Sequence, residues 1–101
     1  MPKFSAETKQ AEELEELLHD RGATHLRVRK RGALLTIVSG AEDDPWPHAR
    51  LRRETVHLWR LEMAVRGGRW ESTPFRATMD ELVDTLVDQF PWTIAPVDLT
   101  R

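Results

Sequence analysis

The hydrophobic period of this chain changes twice, from 3.6 residues to 2 and back, which demands a domain with helices at its ends and strands between them. In the first stretch Ala11, Leu14, Leu17 and Leu18 recur at three- and four-residue steps, with Glu12, Glu13, Glu15 and Glu16 on the other face. This predicts a helix over Ala6 to Asp20, capped by Ser5 and stopped by Gly22. In the last stretch Met79, Leu82, Val83, Leu86, Val87 and Phe90 form an apolar stripe. Thr78-Met79-Asp80-Glu81 reads as a capping box ahead of it, and Pro91 ends the helix.

Between these helices the alternation has period 2. Leu26 and Val28 point one way over Thr24 to Lys30, and His25, Arg27 and Arg29 the other. Arg31-Gly32 marks a turn into a second strand, Ala33 to Ser39, in which Leu35 and Ile37 share a face and Leu34, Thr36 and Val38 oppose them. Gly40 to His48, with Glu42-Asp43-Asp44 and Pro45-Trp46-Pro47, reads as an irregular loop. A long third strand is expected within Arg50 to Arg66, with His57, Trp59, Leu61, Met63 and Val65 on one face and Leu58, Arg60, Glu62 and Ala64 on the other. Gly67-Gly68 reads as a two-residue hairpin turn pairing Val65 with Trp70, so Trp70 is expected on the Trp59 face. Pro74 confines the fourth strand to a short or edge position. Trp92, Ile94 and Val97 are expected to fold an extended tail against the core.

The expected fold is therefore α+β: residues 1–101 as a single globular domain, in the order α-β-β-β-β-α. Three to four antiparallel strands carry both helices on one face, and the other face is left open. There is no cysteine, hence no disulfide framework and no thiolate chemistry. Residues 1–7 lack an apolar signal region, and no apolar run approaches the ~20 residues of a membrane span, so a cytoplasmic address is expected. Twelve arginines to three lysines fit a GC-rich bacterial genome.

Net charge is −2, but it is segregated. Residues 1–20 hold two Lys against six acids, residues 21–69 eleven Lys/Arg against five, and residues 70–101 two Arg against six. The basic middle coincides with the strands, so the open face is the candidate site: Arg27, Arg29 and Arg60, with His25 at one end and Leu34, Val38 and Leu58 among them. Such a face suits a protein partner or a second copy of the chain, and nucleic acid is the alternative. The helix–strand order is similar to that of double-stranded-RNA-binding domains, whose second helix begins with basic residues; Asp80 and Glu81 stand there in this chain. Base stacking in the manner of an RRM needs outward aromatics, and the alternation places Trp59 and Trp70 inward.

Trp46, between two prolines, is either an exposed anchor for a partner or a cap on the end of the core, the latter being the more common role of tryptophan. Glu42, Asp43, Asp44 and His48 match no metal-ligand spacing, so neither a metal nor a cofactor is expected. Catalysis has no motif behind it: there is no Gly-x-Ser-x-Gly and no phosphate loop, and the four histidines fall on different elements. Nothing in the spacing selects an acid–base pair such as His57 with Glu54 or Glu62, and the chain reads as a non-enzyme.

Overall fold

The computed structural model describes residues 4–96. Helix α1 (Thr8–Asp20) is followed by five strands, β1 (Arg27–Arg31), β2 (Leu34–Ser39), β3 (Trp46–Arg53), β4 (Trp59–Val65) and β5 (Arg69–Ala77), and by helix α2 (Met79–Gln89). The strands form one antiparallel sheet in the order β1-β2-β3-β4-β5, each paired with its neighbour in sequence. Among the described residues no helix is long and apolar enough to cross a membrane.

Both helices lie on one side of the sheet. Leu14 and Leu18 of α1 and Leu82, Val83 and Leu86 of α2 share one buried cluster with Leu35, Ile37, Ala49, Leu51, Trp59 and Leu61 from the strands. The cluster follows from register: Ile37 pairs with Ala49, Leu35 with Leu51, and Leu51 with Leu61, so aliphatic residues meet across β2, β3 and β4. Arg21 at the end of α1 bonds Asp84 and Asp88 of α2 and ties the helices together.

The helices start close to where the sequence places them. Thr78 and Glu81 form the expected capping box of α2. At α1 the cap is Glu7 rather than Ser5, with the Gln10 side chain accepting from the Glu7 N–H. The segment ahead of it is held elsewhere: the Ala6 N–H donates to the Gly32 carbonyl, and the Ser5 carbonyl accepts from Arg53.

Three strand expectations are corrected. The stretch expected as one long strand within Arg50 to Arg66 is two strands joined by a turn. The Leu58 carbonyl accepts from the N–H groups of Glu54 and Thr55, and Thr55 Oγ1 accepts from the Leu58 N–H, so the reversal needs neither Gly nor Pro. His57 lies in that turn, exposed, rather than on the inward face. The last third of the expected loop Gly40 to His48 is strand: β3 begins at Trp46, which pairs with Ser39.

The third correction changes a surface. The β4–β5 turn spans three residues, because Val65 pairs with Arg69 and Ala64 with Trp70. Gly67 and Gly68 take φ of 84° and 74°, the left-handed region open to glycine, but Arg66 joins them in the turn. A one-residue change of register turns every side chain of a strand over. Trp70 therefore stands on the open face rather than beside Trp59.

Pro74 is accommodated by a break in the β4–β5 ladder. Arg60 pairs with Arg76 and Glu62 with Ser72, leaving Thr73, Pro74 and Phe75 opposite Leu61 alone. Thr73 Oγ1 repairs the gap by donating to the Leu61 carbonyl and accepting from the Phe75 N–H. Ile94 of the tail is buried, Trp92 is exposed, and Val97 lies outside the described residues.

Candidate functional site

Strand alternation assembles the uncovered face of the sheet from two rows that cross it. One reads Arg29, Thr36, Arg50, Glu62 and Ser72; the other reads Arg31, Leu34, Arg52, Arg60 and Arg76. Arg27 adjoins them opposite Val38. Seven arginines thus share a face whose carboxylates are Glu62 and, from the β3–β4 turn, Glu54, leaving a local charge of +5.

Arginines facing one another across strands repel, and the two carboxylates relieve this from between them. Glu62 accepts from Arg50 Nε at 2.5 Å and from Arg52 Nε at 3.1 Å. Glu54 accepts from Arg60 Nε at 2.6 Å and from Arg76 Nε. The Arg60 hydrogen bond is the leading cause that holds the Glu54 carboxyl below its usual value. At Glu62, burial works to raise the carboxyl, but the hydrogen bonds and charges of Arg50 and Arg52 overcome it and leave it lowered. Because the carboxylates take the Nε edges, the terminal nitrogens of Arg50, Arg52 and Arg76 bond nothing among the described residues. Those forks are positioned, charged and unspent, the geometry that carboxylates and phosphates fit.

The sequence candidates divide accordingly. Arg27, Arg29 and Arg60 stand on the open face, although Arg27 donates to the Gly40 carbonyl at 2.7 Å and Arg60 to the Thr73 carbonyl at 3.0 Å. His25 does not join them. It precedes β1 and points to the tail, its Nε2 2.7 Å from the Ile94 carbonyl. Leu58 sits half-buried in the β3–β4 turn, ahead of the strand. Trp46 is 49% exposed and caps nothing. His57 is exposed, while Glu54 and Glu62 are engaged by arginines, so the acid–base pair is not assembled. Arg31, Arg50, Arg52, Arg76 and Trp70 escaped the sequence reading. The alternation Ala49-Arg50-Leu51-Arg52 carries the signal for Arg50 and Arg52, once β3 is recognised as a strand.

At one end the face changes character. The β3–β4 ladder stops at Ala49–Met63, whereas β2–β3 continues to Ser39–Trp46 and β4–β5 to Val65–Arg69. Pro47 has no N–H to continue the ladder. A bulge between Ile37 and Val38 also makes His48 an extra residue in β3. The sheet splits there, and the split holds a cavity of about 580 Å³ between Trp46 and Pro47 on one side and Ala64, Val65 and Trp70 on the other. The Arg50 guanidinium lies over the Trp70 ring, 4.3 Å from its centroid.

The bulge re-aims His48 into the interior. Its Nε2 is 2.8 Å from Ser39 Oγ and its Nδ1 2.8 Å from the Thr93 carbonyl, an order of hydroxyl, imidazole and orienting acceptor that resembles a nucleophilic centre. The hydroxyl is closed off from solvent: Ser39 and His48 are 6% and 2% exposed, and although His48 borders the groove beside Trp92, Ser39 lines neither that groove nor the cavity at the split. With His25 on Ile94, the pair fastens two consecutive carbonyls of the tail, which makes it a structural clasp. Burial is the leading cause lowering the basicity of His48, and the nearby His25 adds to it against the opposing bond to Thr93. No cluster of three metal-ligating side chains occurs among the described residues.

Compared with family models, curated proteins and solved structures, the chain matches none.

Proposed function

We propose that this chain is a binding domain, not an enzyme, whose open sheet face receives an acidic protein surface. The observation that carries the reading is the excess of five positive charges on an uncovered face, with guanidinium forks fixed in place by Glu54 and Glu62. Complementary charge at this density steers association and selects partners. A symmetric dimer through the same face would set seven arginines against seven, so electrostatics favour an unlike partner over a face-to-face copy.

Titration with poly-glutamate of about 20 residues tests the reading. Binding is expected at low ionic strength and weakens steeply with salt. Arg29→Glu with Arg52→Glu should cut it about tenfold or more. Absence of binding at low salt would sink the proposal.

Single-stranded nucleic acid is the second reading, favoured by one observation: Trp70 stands outward among arginines. Oligo-dT of about 20 nucleotides in the same titration measures it, and affinity above that for poly-glutamate would make this reading the better one.

A further inference from the structure

We propose that the split end of the sheet is an anchor slot for an apolar side chain carried on an acidic, extended segment of a partner protein; this rests on the reading of the open face as a surface for acidic partners. Three of the four tryptophans gather at this end. Trp46 is 49% and Trp92 70% exposed, Trp70 lines the slot, and Trp59 alone is in the core. Trp46 stands between the slot and an adjoining groove of about 410 Å³ that reaches Phe90 and Trp92. Clustered exposed tryptophan beside arginine is the composition of binding hot spots, and patches of this kind on a small domain mark interaction sites.

The backbone points to a peptide. No β3 residue is in register with Ala64 or Val65, so the inner edge of β4 ends with main-chain groups that an added strand could pair. The charge says which peptide. Arg66 and Arg69 line the slot and Arg50 borders it, while of the carboxylates at this end Glu71 stands on the adjoining groove and Glu42, Asp43 and Asp44 of the β2–β3 loop line neither. A segment with an apolar residue between acids places its side chain against Trp46 and Val65 and its carboxylates on the arginine rows. A nucleic acid fits less well, because the Arg50 guanidinium occupies one face of the Trp70 ring and leaves a base only the other.

The test uses the full chain and three 12-residue probes, read by tryptophan fluorescence and calorimetry: a Glu/Asp peptide with one central Leu, the same peptide with Gly at the centre, and dT12. The Leu peptide should bind about tenfold tighter than the Gly peptide, the margin a buried aliphatic side chain supplies. Trp46→Ala should erase that margin while leaving Gly-peptide affinity in place, which also shows that the variant folds. Arg52→Glu should weaken both peptides alike. Equal affinity of the wild type for the Leu and Gly peptides overturns the anchor slot and leaves the acidic-partner reading standing. No binding of either peptide at low salt overturns both. Tighter binding of dT12 than of the Leu peptide overturns the slot in favour of nucleic acid.

Discussion

Replacing Glu62 with Gln should lower stability and raise affinity for anions together, a pairing of opposite effects that few surface substitutions produce. The Glu62 side chain is 10% exposed and its two oxygens serve Arg50 and Arg52, which are 17% and 43% exposed. A hydrogen bond to a charged group contributes about 1.5–3 kcal/mol, and the solvated Arg52 pair falls at or below about 1 kcal/mol. Gln keeps one accepting oxygen, so the net loss should be on the order of 2 kcal/mol, or about 10 °C in the melting temperature of a domain this size. The carboxyl is held below its ordinary value by Arg50 and Arg52 against the opposing effect of burial. As pH falls, the unfolded chain therefore takes up the proton first. The stabilisation is whole above the ordinary carboxylate range and drains away as pH drops through the native value. Urea unfolding at pH 7 should show the full gap between wild type and Glu62→Gln, and at about pH 3, below the ordinary carboxylate range, the gap should be smaller. Poly-glutamate affinity at pH 7 should rise a few fold as the face gains a unit of positive charge. An unchanged stability at pH 7, or an equal gap at both pH values, would refute the account of the arginine network.

Two further predictions follow from burial and register. Trp59→Ala should cost about 3–5 kcal/mol because Trp59 is 2% exposed, whereas Trp70→Ala on the open face should cost about 1 kcal/mol; comparable losses in urea melts would mean that Trp70 faces inward after all. His48 is kept neutral chiefly by burial. The unfolded chain accepts its proton first below about pH 6.5, so stability is full above that value and declines as pH falls towards the native one. His48→Gln should be less stable than wild type at neutral pH but show a flatter decline between about pH 6.5 and 5 in thermal melts.

Where local physics and tertiary packing agree, the sequence was readable: both helices, the Thr78–Glu81 box and the inward set Leu35, Ile37, Trp59 and Leu61 are in place, while the turn expected at Arg31-Gly32 falls one residue later, at Gly32-Ala33 between the paired Arg31 and Leu34. The misreadings share a cause. The turn at Glu54 to Leu58 is made by backbone carbonyl sharing and one threonine hydroxyl, with β-branched Thr55 and Val56 giving the opposite signal. At Gly67-Gly68 the residue types announce a hairpin but not its length, and one added turn residue moved Trp70 to the other surface. The arginine face was legible only in part, because Arg50 and Arg52 belong to a strand whose first residues look like a proline loop. The split at the sheet's end was not legible at all, since it depends on where three ladders stop relative to one another.

The meander order of the sheet has a consequence for how the chain is born. Every strand finds its partner in the residues just made, so hairpins can close one after another as synthesis proceeds. The layer that covers them does not keep pace: α2 and the buried Ile94 come last and must seat against Leu51, Trp59 and Leu61. Until residues 79–94 leave the ribosome, a growing sheet presents a greasy underside with half its roof missing, and that interval is when the nascent chain is most exposed to aggregation.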